Sequence, residues 1–355
     1  GDVYKRQTVY MWGFSIFILS SIICGAAWSP VVLIVFRGIQ AIGGAMLSSN
    51  SPAIITGNVP AEERGRAFGL VSTMTYLGLT IGPSLGGWLA HTVGWRAVFY
   101  INVPIGLTAL SLSYFFIPKD APVSTDKRFD LPGAALFLAG LTALMLGLNK
   151  GSDWGWQSPA VVGLLAAAVV VLTIFILIER RSPAPMLDLN LFKVPLFSTS
   201  TACAILNYMA LFSIIFLMPF YLIQGRGLNP AEAGLLLTAQ PVVMAIAAPI
   251  SGSFSDRFGS RWPGVIGMSV LAAGLFFLST IGPATPIWIV AAGMAVAGAG
   301  TGTFISPNTS ALMGAAPKSR QGTASGVMAT ARNFGMVLGI GTVSYTHLRA
   351  HETKA

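Results

Sequence analysis

Long runs of apolar residues follow one another along almost the whole of this 355-residue chain. A helix needs about 20 apolar residues to cross the hydrocarbon core of a bilayer. The runs are continuous and do not alternate with polar residues, which favours helices over the strands of a membrane barrel. The pattern predicts eleven membrane-spanning helices, at residues 8–28, 30–56, 67–91, 97–117, 132–148, 159–178, 196–223, 232–254, 263–281, 284–312 and 322–344.

The composition indicates that lipid surrounds most of these residues. Apolar residues make up 54% of the chain and charged residues only 9%, whereas soluble domains carry about 25% charged residues. The mean hydropathy is +0.72. Cys24 and Cys203 both fall within predicted spans and show neither a disulfide pattern nor the spacing of metal ligands. We therefore expect an all-α integral membrane protein that holds no metal.

The basic residues predict the orientation of the helices. The net charge is +9, but the basic residues are scattered singly between spans, so they do not indicate a nucleic-acid partner. Fourteen of them, including Arg64 and Arg257, lie on one alternating set of connections or in the N-terminal segment, and only Arg96, Lys150 and Arg226 lie on the other. Because Lys and Arg are enriched on the cytoplasmic side, we predict that the first set is cytoplasmic, and we call that end of the helices the basic side.

The two ends of the chain differ abruptly from the apolar pattern. Residues 1–7 (GDVYKRQ) and residues 345–355, within the final stretch SYTHLRAHETKA, resemble translated adapter sequence. We exclude both segments from fold reasoning as non-native, although ordinary polar termini are the alternative. An odd number of spans with such short ends predicts that the sequence is a fragment.

An internal repeat relates two distant parts of the chain. When the sequence is shifted by 257 positions, nine of the 34 positions from 49 to 82 match. The matched pairs are Ser49 with Ser306, Gly57 with Gly314, Pro60 with Pro317, Gly65 with Gly322, Ala67 with Ala324, Gly69 with Gly326, Thr73 with Thr330, Gly78 with Gly335 and Gly82 with Gly339. The shift joins predicted spans two and three to spans ten and eleven. An even offset predicts copies of the same orientation, as in parallel repeats, although chance agreement between Gly-rich segments is the alternative.

The third predicted span contains an unusual group of helix-breaking residues. Gly78, Gly82 and Gly86 recur every four residues, with Pro83 and Gly87 beside them. In the interior of a soluble helix, a glycine lowers helix stability by about 1 kcal/mol relative to alanine and a proline by about 3 kcal/mol. In a membrane, by contrast, small residues let neighbouring helices approach closely. The pattern predicts a smooth, bent face that packs against a neighbouring helix and slides as the protein moves. Static close packing is the alternative.

Two arginines lie within predicted spans. Arg37 lies in span two, with Gln40 one turn away as a hydrogen-bond partner, and Arg332 lies near the middle of span eleven. A cation at membrane depth costs about 3 kcal/mol or more, and such residues are usually functional. Snorkelling of Arg37 to the headgroups is the alternative, and Arg332 is open to substrate contact, proton coupling or helix pairing.

Polar residues elsewhere suggest a gate and a cavity. Asp256, Arg257 and Arg261, between Gly252 and Gly259, could form a charged latch on a cytoplasmic loop, or only a tight polar turn. Other polar or charged residues within spans are candidates to line a substrate cavity, although each could instead bridge two helices. These candidates are Asn207, Tyr208, Gln240, Asn308 and Arg332.

Four of these motifs resemble those of fourteen-span drug/proton antiporters of the major facilitator superfamily. Residues 37–44 resemble the family's Arg-Gln-Gly motif, with Ala41 in place of a preferred glycine, and residues 78–87 resemble its antiporter signature. Residues 95–106 resemble a run typical of the fourteen-span members, and residues 252–261 resemble the superfamily's loop motif. The resemblance extends from Thr8 to Val343 and implies that three of fourteen spans are missing. It also implies that Arg37 and Gln40 act in proton coupling.

The resemblance implies a two-bundle transporter. Its domains would be a truncated N-terminal bundle at 8–117, two linker spans with cytoplasmic loops at 118–195 and a truncated C-terminal bundle at 196–344. The implied function is proton-coupled efflux of small amphiphilic or cationic compounds across the cytoplasmic membrane by alternating access. An importer or facilitator of the same fold, or a metabolite-specific exporter, is the alternative.

The energy source and partners follow from the same analysis. No phosphate-binding GxxxxGK[ST] loop occurs, so we expect no cofactor and a proton gradient as the energy source. The expected partners are a small-molecule substrate and the bilayer, with a periplasmic adaptor only if the source has two membranes. An embedded enzyme would require clustered acid–base or metal-binding side chains, but the only histidine in the apolar region is His91.

Overall fold

The protein is described by a computed structural model that covers residues 6–118, 130–182, 185 and 187–352. The side chains at 83, 84, 152 and 344–352 are outside the described part. The described residues form an all-helical structure that contains no strand. The helices are α1 (Arg6–Gly25), α2 (Pro30–Asn58), α3 (Arg64–Thr92), α4 (Ala97–Tyr100), α5 (Asn102–Phe116), α6 (Leu131–Trp154), α7 (Pro159–Glu179), α8 (Pro195–Phe220), α9 (Pro230–Leu237), α10 (Ala239–Phe258), α11 (Arg261–Ser279), α12 (Ile287–Ala315) and α13 (Gln321–Glu352).

The described residues contain nine segments that are long and apolar enough to cross a membrane. Two of these segments each consist of two consecutive helices: α4 and α5 form one, and α9 and α10 form the other. The sequence pattern predicted eleven spans, and the difference lies in α3 and α13. Both are long, at 29 and 32 residues, but their many Gly, Ser and Thr residues make them less apolar than the other nine segments.

Side-chain caps explain why several helices begin where they do. Ser29 accepts a hydrogen bond from the Val32 N–H at 3.3 Å, and Ser158 accepts one from the Val161 N–H at the same distance. In both cases a proline occupies the first helical position, where its missing N–H removes no intrahelical bond. The predicted starts of these two spans, at residues 30 and 159, are thereby confirmed.

The structure confirms the internal repeat. The helix α12 begins and ends 257 residues after the corresponding ends of α2, and the 3₁₀ turn Lys318–Arg320 follows the turn Ala61–Glu63 by the same offset. The starts of α3 and α13 also differ by 257 residues. Pro60 and Pro317 precede the two turns with closely similar backbone angles, φ −53° and ψ 149° against φ −57° and ψ 150°.

The helices form two groups that meet through their repeat-related members. In the first group, α1 to α5, contacts of α1 hold α2, α4 and α5, whereas α3 has only small contacts with α2 and α4. The second group, α8 to α13, is held by contacts of α12 with α10 and α11 and of α13 with α8. Between the groups, α3 packs on α10 and α12, and α2 packs on α13. The hairpin of α6 and α7 contacts α13.

Glycines bring the helices of the second group into backbone contact. A β-carbon on Gly267 would lie 2.7 Å from the Phe304 nitrogen, and one on Gly300 would overlap the Leu271 nitrogen. Gly298 lies against the backbone of Gln240 in the same manner. Since lipid supplies no hydrophobic driving force for association, such close backbone packing is a main source of helix attraction in membranes.

We expect Gly300→Leu to destabilise the protein by more than about 2 kcal/mol, because the new side chain would force α11 and α12 apart. Gly314→Leu is the matched control, since Gly314 lies in the same helix and no described atom lies within 4 Å of its β-carbon position. Thermal unfolding of both variants in detergent measures the effect. Equal unfolding temperatures for the two variants would contradict this account of helix packing.

Candidate functional site

The closest contact between the two groups lies at the basic side, where α3 begins and α10 ends. Gly65 and Gly252 touch through their backbones, and a β-carbon on either would overlap the other. One turn deeper, a β-carbon on Gly69 would lie 2.6 Å from Pro249 Cα, and the Thr73 hydroxyl donates to the Ala245 carbonyl at 2.8 Å. We call this surface, formed by residues 65–73 of α3 and 245–256 of α10, the basic-side interface.

The Asp256 carboxylate joins the two groups electrostatically. Its two oxygens accept hydrogen bonds from the backbone N–H groups of Gly65 at 2.7 Å and Arg66 at 2.8 Å. These N–H groups belong to the first turn of α3, which has no intrahelical partners for them and carries the positive end of the helix dipole. Charge-assisted bonds of this kind are stronger than neutral ones. An acidic side chain of one group therefore caps a helix of the other.

The remaining residues of the predicted latch do not take part in this cap. Arg257 and Arg261 have exposed side chains, and neither makes a hydrogen bond or ion pair with the part of the chain that the structure describes. Gly259 has a φ of +83°, which suits the turn between α10 and α11. Of the residues predicted for the latch, Asp256 and Gly252 therefore make the contact with α3, and Gly259 builds the turn.

A second contact on the basic side joins α2 to α13. The Ser325 hydroxyl of α13 donates to the Ser49 carbonyl of α2. The Ser306 hydroxyl, on α12, also donates to the Gly65 carbonyl at 2.6 Å. Residues from both copies of the repeat thus close the same end of the molecule.

The glycines of the antiporter-like motif do not pack as expected. A β-carbon on Gly78, Gly82, Gly86 or Gly87 would have no described atom within 4 Å. The prediction that this face packs closely against a neighbouring helix is therefore wrong for the described part of the chain. The side chain of Pro83 lies outside the described residues, and α3 continues through this position as a helix.

The repeat copies of the same glycines do pack closely. A β-carbon on Gly335 would lie 2.5 Å from the Ile205 carbonyl oxygen, and one on Gly339 would lie 3.2 Å from Met209 Cα. Both contacts are made with α8.

The structure joins Arg37 to Gln40, as the sequence predicted. The guanidinium donates to Gln40 Oε1 at 2.7 Å, and the buried Gln40 amide donates to the Ser21 hydroxyl of α1 at 2.6 Å. The guanidinium carbon also lies 5.8 Å from the centre of the Phe99 ring, within range of a cation–π contact. A chain of polar contacts therefore links a cation of α2 to α1.

Two tyrosines from opposite groups of helices pack together near the middle of the spans. Tyr76 of α3 is buried in an apolar cluster, and Tyr208 of α8 packs against that cluster. We call these two residues the midplane cluster. It unites a predicted cavity residue with a tyrosine that the sequence analysis did not single out. Arg332, another predicted cavity residue, is half-buried in α13 and makes no hydrogen bond or ion pair with the part of the chain that the structure describes.

The other predicted cavity residues lie within the second group of helices. Asn207 and Gln240 are buried, and each has one side-chain amide atom, Asn207 Oδ1 and Gln240 Nε2, without a partner in the described structure. Asn308 donates to the Ser200 carbonyl at 3.1 Å and so bridges α12 to α8, which is the structural alternative for such residues. These three residues therefore do not join the midplane cluster through any described contact.

Two further residues at these contacts were missed by the sequence analysis. Thr73 and Tyr76 follow Gly69 of α3 by four and seven residues, a spacing that places them with Gly69 on one helix face. That spacing was the available signal, because it continues the face of Gly65 and Gly69 from the basic side toward the middle of the span.

Comparison with known proteins gives the family context of this geometry. The sequence model described as Major Facilitator Superfamily matches residues 1–340. The multidrug resistance protein Stp of Mycobacterium tuberculosis (strain CDC 1551 / Oshkosh) is 34% identical over 339 residues, which are 95% of this chain and 63% of Stp. The riboflavin transporter RibZ of Clostridioides difficile (strain 630) is 31% identical over 339 residues, which are 96% of this chain and 73% of RibZ.

A solved transporter shares the arrangement of the helices. The crystal structure of the human organic anion transporter MFSD10 (TETRAN) matches with a TM-score of 0.67 at 16% identity, covering 97% of this chain and 72% of that protein. This likeness concerns the fold. Because the family model covers nearly the whole chain, the expected family is confirmed, and the chain belongs to the Major Facilitator Superfamily of membrane transporters.

Proposed function

We propose that this chain forms most of a proton-coupled exporter that moves small amphiphilic compounds by alternating access. The observation that carries the proposal is the basic-side interface, where Asp256 of one helix group caps α3 of the other. A contact between whole bundles that depends on a few hydrogen bonds and glycine contacts can break and reform without unfolding either bundle. The basic-side interface is the gate toward the cytoplasm in this proposal.

The energy of the gate suits a transport cycle. A carboxylate at a helix N-terminus contributes about 0.3–1 kcal/mol when exposed and up to about 2 kcal/mol when partly buried. A gate of this strength favours the closed state but leaves the open state accessible, because conformational states of transporters need to differ by only a few kcal/mol. Binding of substrate or proton can then shift the population between the two states.

The names of the relatives support export and leave the cargo open. One relative is named a multidrug resistance protein and another a riboflavin transporter, so a metabolite-specific transporter of the same fold is the second candidate. We place the protein in the cytoplasmic membrane, with the proton gradient as its energy source and no bound cofactor. Its partners in this proposal are the small-molecule substrate and the lipid. A periplasmic adaptor is added only if the cell has two membranes.

The complete gene that contains this sequence should export a fluorescent dye against a gradient when protons flow inward. Everted membrane vesicles that contain the protein should accumulate the dye after a proton gradient is imposed, and a protonophore should abolish accumulation. Vesicles without the protein are the control. Dye movement that persists at the same rate after the proton gradient is collapsed would refute proton coupling and favour a facilitator.

We expect Arg37→Gln to lower proton-driven dye efflux by about tenfold or more, because it removes a cation that would tune the proton affinity of an acidic partner. Arg37→Lys should give an intermediate rate, since it keeps the charge but cannot reproduce the geometry of the guanidinium. Arg96→Gln is the matched control, because it removes a cation that binds the Ala27 carbonyl outside this polar chain. Unchanged efflux in Arg37→Gln would contradict a coupling role.

Asp256→Asn should open the basic side, because the amide carries no charge to hold the first turn of α3. We expect the closed state to lose about 1–2 kcal/mol, which is roughly a tenfold change in population. Glu62 and Phe258 are both exposed at the basic side, so each can carry a spin label. Pulsed electron paramagnetic resonance then measures the distribution of distances between the two labels, which reports the separation of the two groups. The native Cys24 and Cys203 are replaced by serine in this experiment.

Asp153→Asn provides the control for this charge change. Asp153 is exposed and pairs with Lys150 of the same helix turn at 2.8 Å, away from the interface. It should leave the distance distribution unchanged. If Asp256→Asn also leaves the distribution unchanged, the carboxylate cap does not hold the gate closed.

A further inference from the structure

A groove lies between α10 and α11 on the surface of the second group of helices. Its volume is about 390 Å³, and α12, which packs on both helices, contributes Thr303 to it. The walls are mainly apolar side chains, among them Val243, Ile246, Ile250 and Phe254 of α10 and Pro263 and Ile266 of α11. The three isoleucines are each more than half exposed. We call this feature the α10–α11 groove.

The length of the α10–α11 groove matches one leaflet of a bilayer. Its α10 wall runs over the eleven residues from Val243 to Phe254, which is about 16 Å at 1.5 Å per residue, and half of a hydrocarbon core of about 30 Å is about 15 Å. The Ser251 hydroxyl within the groove donates to the Thr303 carbonyl, so this polar pair is already satisfied. The groove therefore suits a hydrocarbon chain.

The end of the groove at the basic side carries charged and interfacial side chains. Arg257 follows Ile250 by seven residues and Phe254 by three, so it continues the same face of α10. Arg261 begins α11, and both arginine side chains are exposed. Trp262 is 63% exposed, and tryptophan is enriched at the boundary between membrane and water. The hydrocarbon groove thus ends where a lipid headgroup would begin.

The charge at this end favours a ligand that carries a negative charge. Asp256 is the sole acidic residue in the sequence from 243 to 266, and both of its oxygens bind the first turn of α3. Arginine keeps its charge in proteins and binds a phosphate in a planar, two-point contact. A cationic amphiphile would be repelled here, and a symmetric dimer through this surface would bring like charges together.

We propose that the α10–α11 groove binds an anionic phospholipid, with the phosphate on Arg257 and Arg261 and one acyl chain between the two helices. The groove lies on the face of α10 that points away from α3, because Ile246 and Ile250 each follow a residue of the basic-side interface by one position, a turn of about 100°. Basic residues at the cytoplasmic ends of spans attract anionic lipids. This site does not depend on the proposed transport function.

A fluorescent label beside the groove tests the proposal. In the protein from the complete gene, every native cysteine is replaced by serine and the label is attached at Val265→Cys, because Val265 is 54% exposed and adjoins Ile266 of the groove. The protein is reconstituted in vesicles of phosphatidylcholine. Phosphatidylglycerol or phosphatidylcholine with brominated acyl chains then replaces a rising fraction of the lipid, and the bromine atoms quench the label on contact.

We expect the association constant of phosphatidylglycerol at the label to exceed that of phosphatidylcholine by about fivefold or more. Equal quenching by the two lipids overturns the proposal. Quenching by neither lipid overturns it as well, because a second copy or another segment of the complete protein then covers the groove. Excess inorganic phosphate should leave the preference unchanged, since it has no acyl chain, and displacement of the lipid by phosphate would identify a soluble anion as the ligand.

Charge variants connect the preference to the two arginines. Replacing both Arg257 and Arg261 by glutamine should abolish the preference, and replacing both by lysine should retain part of it because the charge remains. The matched control replaces Arg180 and Arg181 by glutamine, since both are exposed at the basic side on the hairpin of α6 and α7. An equal loss in the control would show that the surface potential alone attracts the lipid, which overturns the assignment to the groove.

A variant that fills the groove tests the seat of the acyl chain. Ile250→Trp should weaken phosphatidylglycerol binding by about fivefold or more, because the larger side chain occupies the space between α10 and α11. Ile34→Trp is the control, since Ile34 is 71% exposed on α2 and lies outside the groove. Unchanged affinity in Ile250→Trp overturns the placement of the chain. If the glutamine variant fails to fold, as judged by gel filtration, the lysine and Ile250→Trp variants decide the matter.

Discussion

The contact between the Asp256 carboxylate and the first turn of α3 is the interaction on which the rest of this structure depends. Two backbone N–H groups that α3 cannot satisfy internally are satisfied from the opposite group of helices. The contact requires Gly65 and Gly252 to touch, because any side chain at either position would hold the helices apart. Charge, helix dipole and glycine packing therefore act at the same point. Deeper along α3, the Thr73 hydrogen bond and the burial of Tyr76 extend the contact to the midplane.

The repeat explains why helix contacts at the basic side occur in two related places. α2 and α3 have counterparts in α12 and α13 at a constant offset of 257 residues. Between the two copies, α2 packs on α13 and α3 packs on α12. The copies also differ in charge, because the position of Thr75 in one copy is taken by Arg332 in the other.

Much of this architecture could be predicted from the sequence, because membrane helices are specified by local patterns. Apolar length and the repeat were sufficient to locate the helices, and the arginine–glutamine pair followed from helical spacing. The packing of the Gly78 and Gly82 face could not be predicted correctly, because a row of glycines permits close packing but does not identify the neighbouring helix. The partners of Asp256 were also out of reach, because they belong to a helix that is distant in the sequence.

The central claim is that α3 and α10 separate at the basic side during each transport cycle. A disulfide between Thr73→Cys and Ala245→Cys, in a protein from the complete gene with Cys24 and Cys203 replaced by serine, tests it directly, because Thr73 and Ala245 are in hydrogen-bond contact across the interface. Proton-driven transport should stop when the pair is oxidised and return when it is reduced. Transport that continues at an undiminished rate in the fully cross-linked protein would show that this interface is a static joint and not a gate.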